Sequence, residues 1–225
     1  SSLIRLNRLE DALSELKTIA VAEPDNVVVL LHAAHVAYMQ EDYEQMKSLC
    51  EQVLAVDVEN ATANYMLAQA VLGQNDLING IARLTKAISL NEQLADARLL
   101  RAKTLLMMGD VKGADEDVNW LMEHTDDEED VLLMAARVAH AKGNDDEAID
   151  IYNKVVEVNP FQIDAYRERG KIKYDRGDKL GAQEDMQKVL ELNPEEMADV
   201  SGDYSAEGVE QIVKRAYSNM NPFGI

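Results

Sequence analysis

The sequence predicts an all-α protein, an α-solenoid of helix-turn-helix repeats that ends in a C-terminal capping helix. The first observation is a repeat of 34 residues, because Gly143 recurs as Gly177 and Pro160 recurs as Pro194. The second is that apolar residues inside each repeat fall at helical spacing. The third is that residues typical of turns and helix caps separate the apolar stretches at the same phase.

Each repeat is predicted to contain two helices. In the repeat at 129–162, an apolar stripe predicts a first helix over 129–142. Gly143 and Asn144 then predict a left-handed turn and a cap, followed by a second helix over 145–158 that ends before Pro160. The cap position recurs through the chain as Asp42, Asp76, Asp110, Asn144 and Asp178.

The repeat phase sets the expected domain organisation. We expect one array over 1–196, made of a half repeat at 1–26 and complete repeats at 27–60, 61–94, 95–128, 129–162 and 163–196. The half repeat supplies only a second helix, so we expect that an upstream partner helix is missing. Residues 197–225 are expected to form a connector, a capping helix and a tail. The capping helix is indicated by helical spacing of Val209, Ile212, Val213, Ala216 and Tyr217.

Composition excludes several classes of function. The 225 residues carry 42 acidic and 22 basic side chains, a formal net charge of −20, which argues against nucleic acid as a partner. No apolar run approaches the roughly 20 residues that span a bilayer, so no membrane insertion is expected. Cys50 is the only cysteine and favours a cytoplasmic location. The first residue is not methionine, so a trimmed signal peptide stays open.

The sequence shows no catalytic constellation, and we expect neither an enzyme nor a bound cofactor. His32 and His35 are three residues apart and could face one metal ion, but no third and fourth ligand follow at suitable spacing. Two groove-lining or partly exposed imidazoles are the favoured interpretation. Cys50 occupies a core position of its repeat, which favours a buried small apolar side chain over a nucleophile.

Small residues recur in the first helix of every complete repeat, where paired helices must approach closely. These residues are Ala34, Ala68, Ala102, Ala136 and Gly170. With the alanine of the second helix (Ala12, Ala114, Ala148, Ala182) and the terminal prolines, the pattern resembles the tetratricopeptide repeat (TPR). This resemblance implies a right-handed superhelix whose concave groove is lined by the first helices. It also implies a scaffold that binds an extended or helical segment of another protein.

The resemblance places two positions of each repeat in that groove. The ninth position gives the series His35, Gln69, Lys103, Arg137 and Lys171, and the fifth gives Tyr65, Leu99, Leu133 and Arg167 after Leu31. In the last three complete repeats the first helices carry a net charge of +4 and the second helices −10. We therefore expect an acidic peptide in the groove. The alternative is that these cations only balance neighbouring acids.

Two further interpretations concern the partner. The Lys and Asn pattern with which some members of the family hold acidic chaperone tails is absent, since the corresponding residues are Leu31, His35 and Met66. As an alternative function, the chain could be a homo-oligomer that self-associates through Leu3, Leu6, Leu9 and Leu13, or part of a larger protein whose N-terminal half is missing.

Overall fold

In a computed structural model, the chain folds into helices joined by short turns. The structure describes residues 11, 14–16, 18, 19, 21–193, 213, 214, 216 and 217, and none of these lies in a β-strand. Within 21–193 the helices are α1 Val27–Met39, α2 Tyr43–Val56, α3 Ala61–Gly73, α4 Leu77–Leu90, α5 Ala95–Met107, α6 Val111–His124, α7 Glu129–Ala141, α8 Asp145–Val158, α9 Ile163–Asp175 and α10 Lys179–Leu192. The predicted all-α fold is confirmed.

The chain forms two compact units, an N-terminal unit over Ser1–Met108 and a C-terminal unit over Gly109–Ile225. In the N-terminal unit each helix from α1 to α5 packs on the next, and α1 also contacts α3. In the C-terminal unit the same sequential packing runs from α6 to α10. Sequential packing of helix pairs is the arrangement of a solenoid. The helices α1, α3, α5, α7 and α9 are the first helices of the predicted repeats.

Turns and caps follow the repeat phase. The predicted cap aspartates each accept a hydrogen bond from the backbone N–H three residues later, at 2.9–3.2 Å; they are Asp42, Asp76, Asp110 and Asp178. Asn144 is the N-cap residue of α8, as predicted, but its side chain accepts no hydrogen bond from the helix backbone, and its amide donates to Glu147. Three acidic side chains in the first turn of α8 stabilise that helix start through the helix dipole.

In the turn between the first and the second helix of each complete repeat, one residue adopts a left-handed backbone conformation. Gly109, Gly143 and Gly177 have φ angles of +80°, +79° and +85°. At the same repeat position the N-terminal unit has Glu41 at +59° and Asn75 at +64°. Because a Cβ atom makes this conformation unfavourable, glycine is the best residue there. The turn geometry is therefore set by the fold, even where the sequence does not favour it.

The core of the N-terminal unit is apolar and includes Leu30, Met46, Cys50 and Leu67, all at most 1% exposed. Burial raises the pKa of the Cys50 thiol to about 12, with a smaller contribution from Glu51. The thiol therefore stays protonated at neutral pH. The interpretation of Cys50 as a buried small apolar side chain is confirmed.

The capping helix covers the end of the C-terminal unit. Val213 and Tyr217 are buried at 2% and 0% exposure against Met186 and Val189 of α10. Val209 and Ile212, which were also predicted in this helix, lie outside the described residues. A Cβ atom on Gly170 would clash with the Tyr217 hydroxyl, so the small residue of the last repeat has a packing reason.

Candidate functional site

The N-terminal unit carries partly exposed residues at two repeat positions of its first helices. We call this set the N-terminal face; it consists of Leu31, His35, Tyr65, Gln69, Leu99 and Lys103. His35 and Lys103 are exposed, and the other four are half-buried. Residues four apart lie on the same side of a helix, so each of the three helices contributes one pair.

Tyr65 lies at the centre of the N-terminal face. Its ring packs against the apolar clusters on both sides, and its hydroxyl accepts a 3.2 Å hydrogen bond from the Gln69 amide. Burial raises the pKa of Tyr65 to about 12, and the charges of Asp96 on α5 and Tyr38 on α1 add to the shift. The Tyr65 side chain therefore packs against one cluster that includes Leu30 of α1 and another that includes Ala97 of α5.

The chemistry of the N-terminal face suits a protein ligand. Tyr65, Leu31 and Leu99 offer apolar area, and the tyrosine also offers a hydroxyl. Lys103 makes no ion pair with any residue that the structure describes, so its ammonium is available as a donor. A face that combines aromatic area with a few polar groups is typical of protein interfaces.

The cations on the first helices of the C-terminal unit are already paired. The guanidinium of Arg137 donates to both carboxylate oxygens of Glu168 at 2.6–3.1 Å, and Arg167 donates to Asp164 at 2.7 Å. Lys171 is bonded to Asp175 four residues later. We call Arg137, Asp164, Arg167, Lys171 and Asp175 the C-terminal face. With Glu168, its formal charges sum to zero.

Glu168 joins this face to the core. Its Oε2 also accepts a 2.7 Å hydrogen bond from the buried Tyr152 hydroxyl, so one carboxylate links α7, α8 and α9. Burial first, and then the neighbouring Glu168 charge, hold the pKa of Tyr152 well above its usual range. Burial lowers the pKa of Arg137, but the hydrogen bond and charge of Glu168 outweigh it and leave the pKa raised. The Arg137 guanidinium therefore stays charged.

The sequence reasoning missed these acidic partners. The pairs of Asp164 with Arg167 and of Lys171 with Asp175 have spacings of three and four residues, so a search for helical charge pairs would have found them. Arg137 and Glu168 are 31 residues apart, and no local spacing connects them.

Leu133, the remaining residue expected in the groove, lies in the core of the C-terminal unit. Its side chain is 6% exposed and packs in the cluster that contains Leu132 and Tyr152. It therefore offers almost no surface to a ligand.

The part of the chain that the structure describes contains neither a metal site nor a membrane span. No group of three or more His, Cys, Asp or Glu side chains there could hold a metal ion. His32 and His35 are both exposed. None of the described helices is long and apolar enough to cross a membrane. The leucines expected to mediate self-association, Leu3, Leu6, Leu9 and Leu13, lie outside the described residues.

Comparison with known proteins shows which solved structures the fold resembles. A family model for the tetratricopeptide repeat matches residues 129–162. The type IV pilus biogenesis factor PilW superposes with a TM-score of 0.76 at 16% identity, covering 94% of each chain. YrrB, described as a TPR protein with an unusual peptide-binding site, gives a TM-score of 0.68 at 15% identity over 89% of this chain and 97% of YrrB.

A tetratricopeptide-repeat protein from Parabacteroides merdae gives a TM-score of 0.70 at 15% identity, over 97% of this chain and 95% of that one. Among curated proteins, none matches the chain. At these identities the structural likeness shows the fold, which is that of a tetratricopeptide-repeat solenoid.

Proposed function

We propose that this chain, a tetratricopeptide-repeat protein by its 129–162 repeat and by its fold, is a non-enzymatic scaffold that binds an acidic segment of another protein. The segment is extended or helical and lies along the first helices. Similar solenoids support the broader role of a protein-interaction scaffold. The observation that carries the finer proposal is the N-terminal face, which combines the half-buried Tyr65 and Leu99 with the exposed Lys103, a lysine that has no ion pair within the described residues.

The N-terminal face can bind a peptide by two kinds of contact. Tyr65 and Leu99 provide apolar area for side chains, while Gln69 and His35 provide polar groups for the peptide backbone. Lys103 then selects for a carboxylate at one end of the segment. The unusual peptide-binding site described for YrrB, which has the same fold, supports peptide binding here.

The chemistry of the buried groups supports a role without catalysis. Cys50, the only cysteine, is a buried thiol with a pKa of about 12, so it supplies no thiolate at neutral pH. The Tyr152 hydroxyl is buried and donates to Glu168. Both groups belong to the packing of the helices.

Selection of ligands from a random-peptide display library tests the proposal. We expect enrichment of peptides that combine acidic with apolar residues. Lys103→Glu is expected to weaken binding of a selected peptide about tenfold, because it replaces an attraction with a repulsion at the face. Lys86→Glu is the matched control, since Lys86 is an exposed lysine of the same unit on the second helix α4.

The outcomes of this experiment are distinct. Equal weakening by Lys103→Glu and Lys86→Glu would mean that only net charge matters. Enrichment of basic peptides would contradict the acidic ligand. A library that yields no binder would contradict peptide binding itself.

Self-association is a second candidate function. Three large apolar side chains near the start of the N-terminal unit are exposed: Ile19 at 44%, Val21 at 83% and Val28 at 61%. As this second candidate, we propose that the three side chains belong to one apolar patch through which two molecules of the protein pair. Light scattering over a range of protein concentrations tests this: the candidate predicts a dimer that Val21→Glu with Val28→Glu converts to a monomer, and a wild-type monomer at every concentration contradicts it.

A further inference from the structure

A carboxylate of the protein itself lies between the two arginines of the C-terminal face. Asp164 accepts a 2.7 Å hydrogen bond from Nη1 of Arg167, and its other oxygen is 3.8 Å from Nη2 of Arg137. The Asp164 side chain is 49% exposed, whereas Arg137 and Arg167 are only 20% and 27% exposed. The acid is thus the partner that solvent, or a ligand, reaches most easily.

The two acids that contact Arg137 are held very differently. The Glu168 side chain is 9% exposed and accepts hydrogen bonds from Arg137 and from the buried Tyr152 hydroxyl. Its removal would leave a buried donor without a partner, which is costly. Movement of Asp164 leaves no buried donor unpaired in this way, because water can solvate its carboxylate once it has left the arginines. Glu168 is therefore a fixed partner of Arg137, and Asp164 is an exchangeable one.

We propose that Asp164 is an intramolecular stand-in for a ligand carboxylate. An acidic segment of the partner protein binds the C-terminal face by displacing Asp164 and placing its own carboxylate between Arg137 and Arg167. This inference rests on the proposed function and names the residue that regulates it. The contact of Asp164 is autoinhibitory, because a carboxylate that binds between these two arginines must compete with it.

Lys171 extends the same arrangement along α9. Its side chain is 15% exposed and pairs with Asp175, which is 50% exposed. A ligand with one carboxylate would only exchange one ion pair for another and gain little. A segment with several carboxylates exchanges both pairs at once and gains from its linked charges. The face therefore favours clustered acids over a single acidic residue.

Fluorescence anisotropy with a labelled hexaglutamate peptide at low ionic strength tests the inference. Asp164→Asn keeps the side-chain shape and removes the competing charge, so we expect a Kd about tenfold lower than that of the wild type, which corresponds to about 1.4 kcal/mol. Asp164→Ser is a second variant with the same expectation. Asp150→Asn is the matched control, because it makes the same charge change at an exposed position of the second helix α8. Adding Arg167→Gln to Asp164→Asn is expected to abolish the gain.

Each result has one meaning. A gain in both Asp164 variants that Asp150→Asn does not share supports the inference. Wild-type binding without a gain in either variant overturns the inference and leaves the proposed function standing. Binding by the Asp164 variants alone supports the stand-in role and contradicts an acidic ligand for the wild type. No binding by any variant overturns both.

Discussion

The pair of Arg137 with Glu168 predicts a large loss of stability when the arginine is removed. In Arg137→Ala, the Glu168 carboxylate, which is 9% exposed in the wild type, would keep the Tyr152 hydroxyl as its one remaining donor. Removing one member of a buried ion pair costs about 3–5 kcal/mol, because the other charge stays buried without compensation. Arg137 is itself 20% exposed, so we expect about 3 kcal/mol, at the lower end of that range.

Urea denaturation followed by tryptophan fluorescence measures this loss in the relevant unit. Trp120 on α6 is the only tryptophan of the chain, so its fluorescence reports on the C-terminal unit. Lys154→Ala is the matched control, because Lys154 is an exposed cation of α8 and its removal is expected to cost at most about 0.5 kcal/mol.

Replacing Arg137, Glu168 and Tyr152 together with apolar residues distinguishes the effect of charge pairing on stability from the effect of packing. Arg137→Met with Glu168→Met and Tyr152→Phe removes the three polar groups that bond to one another in the interior, and we expect most of the lost stability to return. A cost of Arg137→Ala no larger than that of Lys154→Ala would refute the buried pairing of Arg137 and would make it a solvated groove residue.

Three further predictions follow from the turns, the thiol and the phenol. Gly177→Ala is expected to lower the free energy of unfolding by about 1–2 kcal/mol, and Glu41→Gly to raise it by about 0.5 kcal/mol, because both residues have positive φ. Urea denaturation measures both changes, and a change of the same sign in the two variants would contradict this. Cys50 is expected to resist a thiol reagent until the chain unfolds, since its pKa is about 12 and it is buried; rapid labelling of native protein would contradict it. Tyr65 is protonated in the folded state up to a pKa of about 12, whereas its unfolded value is 10.0. Above pH 10 the unfolded state therefore binds fewer protons than the folded state. The contribution of the Tyr65 phenol to the free energy of unfolding is complete below pH 10 and falls as the pH rises toward 12. Tyr65→Phe should reduce this fall, and an unchanged pH dependence would contradict the assignment.

Local signals were sufficient to predict most of the fold. The second helix predicted over 145–158 is observed as Asp145–Val158, because the turn glycine before it and the proline after it act on their own neighbours. Asn144 is the N-cap residue, as predicted, but no backbone N–H of the helix donates to its side chain, and its amide donates to Glu147. The direction in which this side chain points depends on its rotamer, which a repeat pattern does not contain.

The candidate site was less predictable than the helices. Half-buried residues such as Tyr65 follow from the repeat position, since the first helices bury their opposite side. The ion pair of Arg137 does not follow from its repeat position, because Glu168 lies in the next repeat and reaches the guanidinium only after the helices pack. The interpretation that cations balance neighbouring acids describes this part of the C-terminal unit. It does not describe Lys103.

The central proposal is that an acidic segment binds along the first helices. The most direct measurement is backbone-amide chemical-shift mapping by NMR during titration with a peptide selected from the display library. We expect the largest shifts at the N-terminal face, around His35, Tyr65 and Lys103, with small shifts on the second helices at Lys47 and Lys86. Shifts concentrated on the second helices, with the N-terminal face unchanged, would contradict the account.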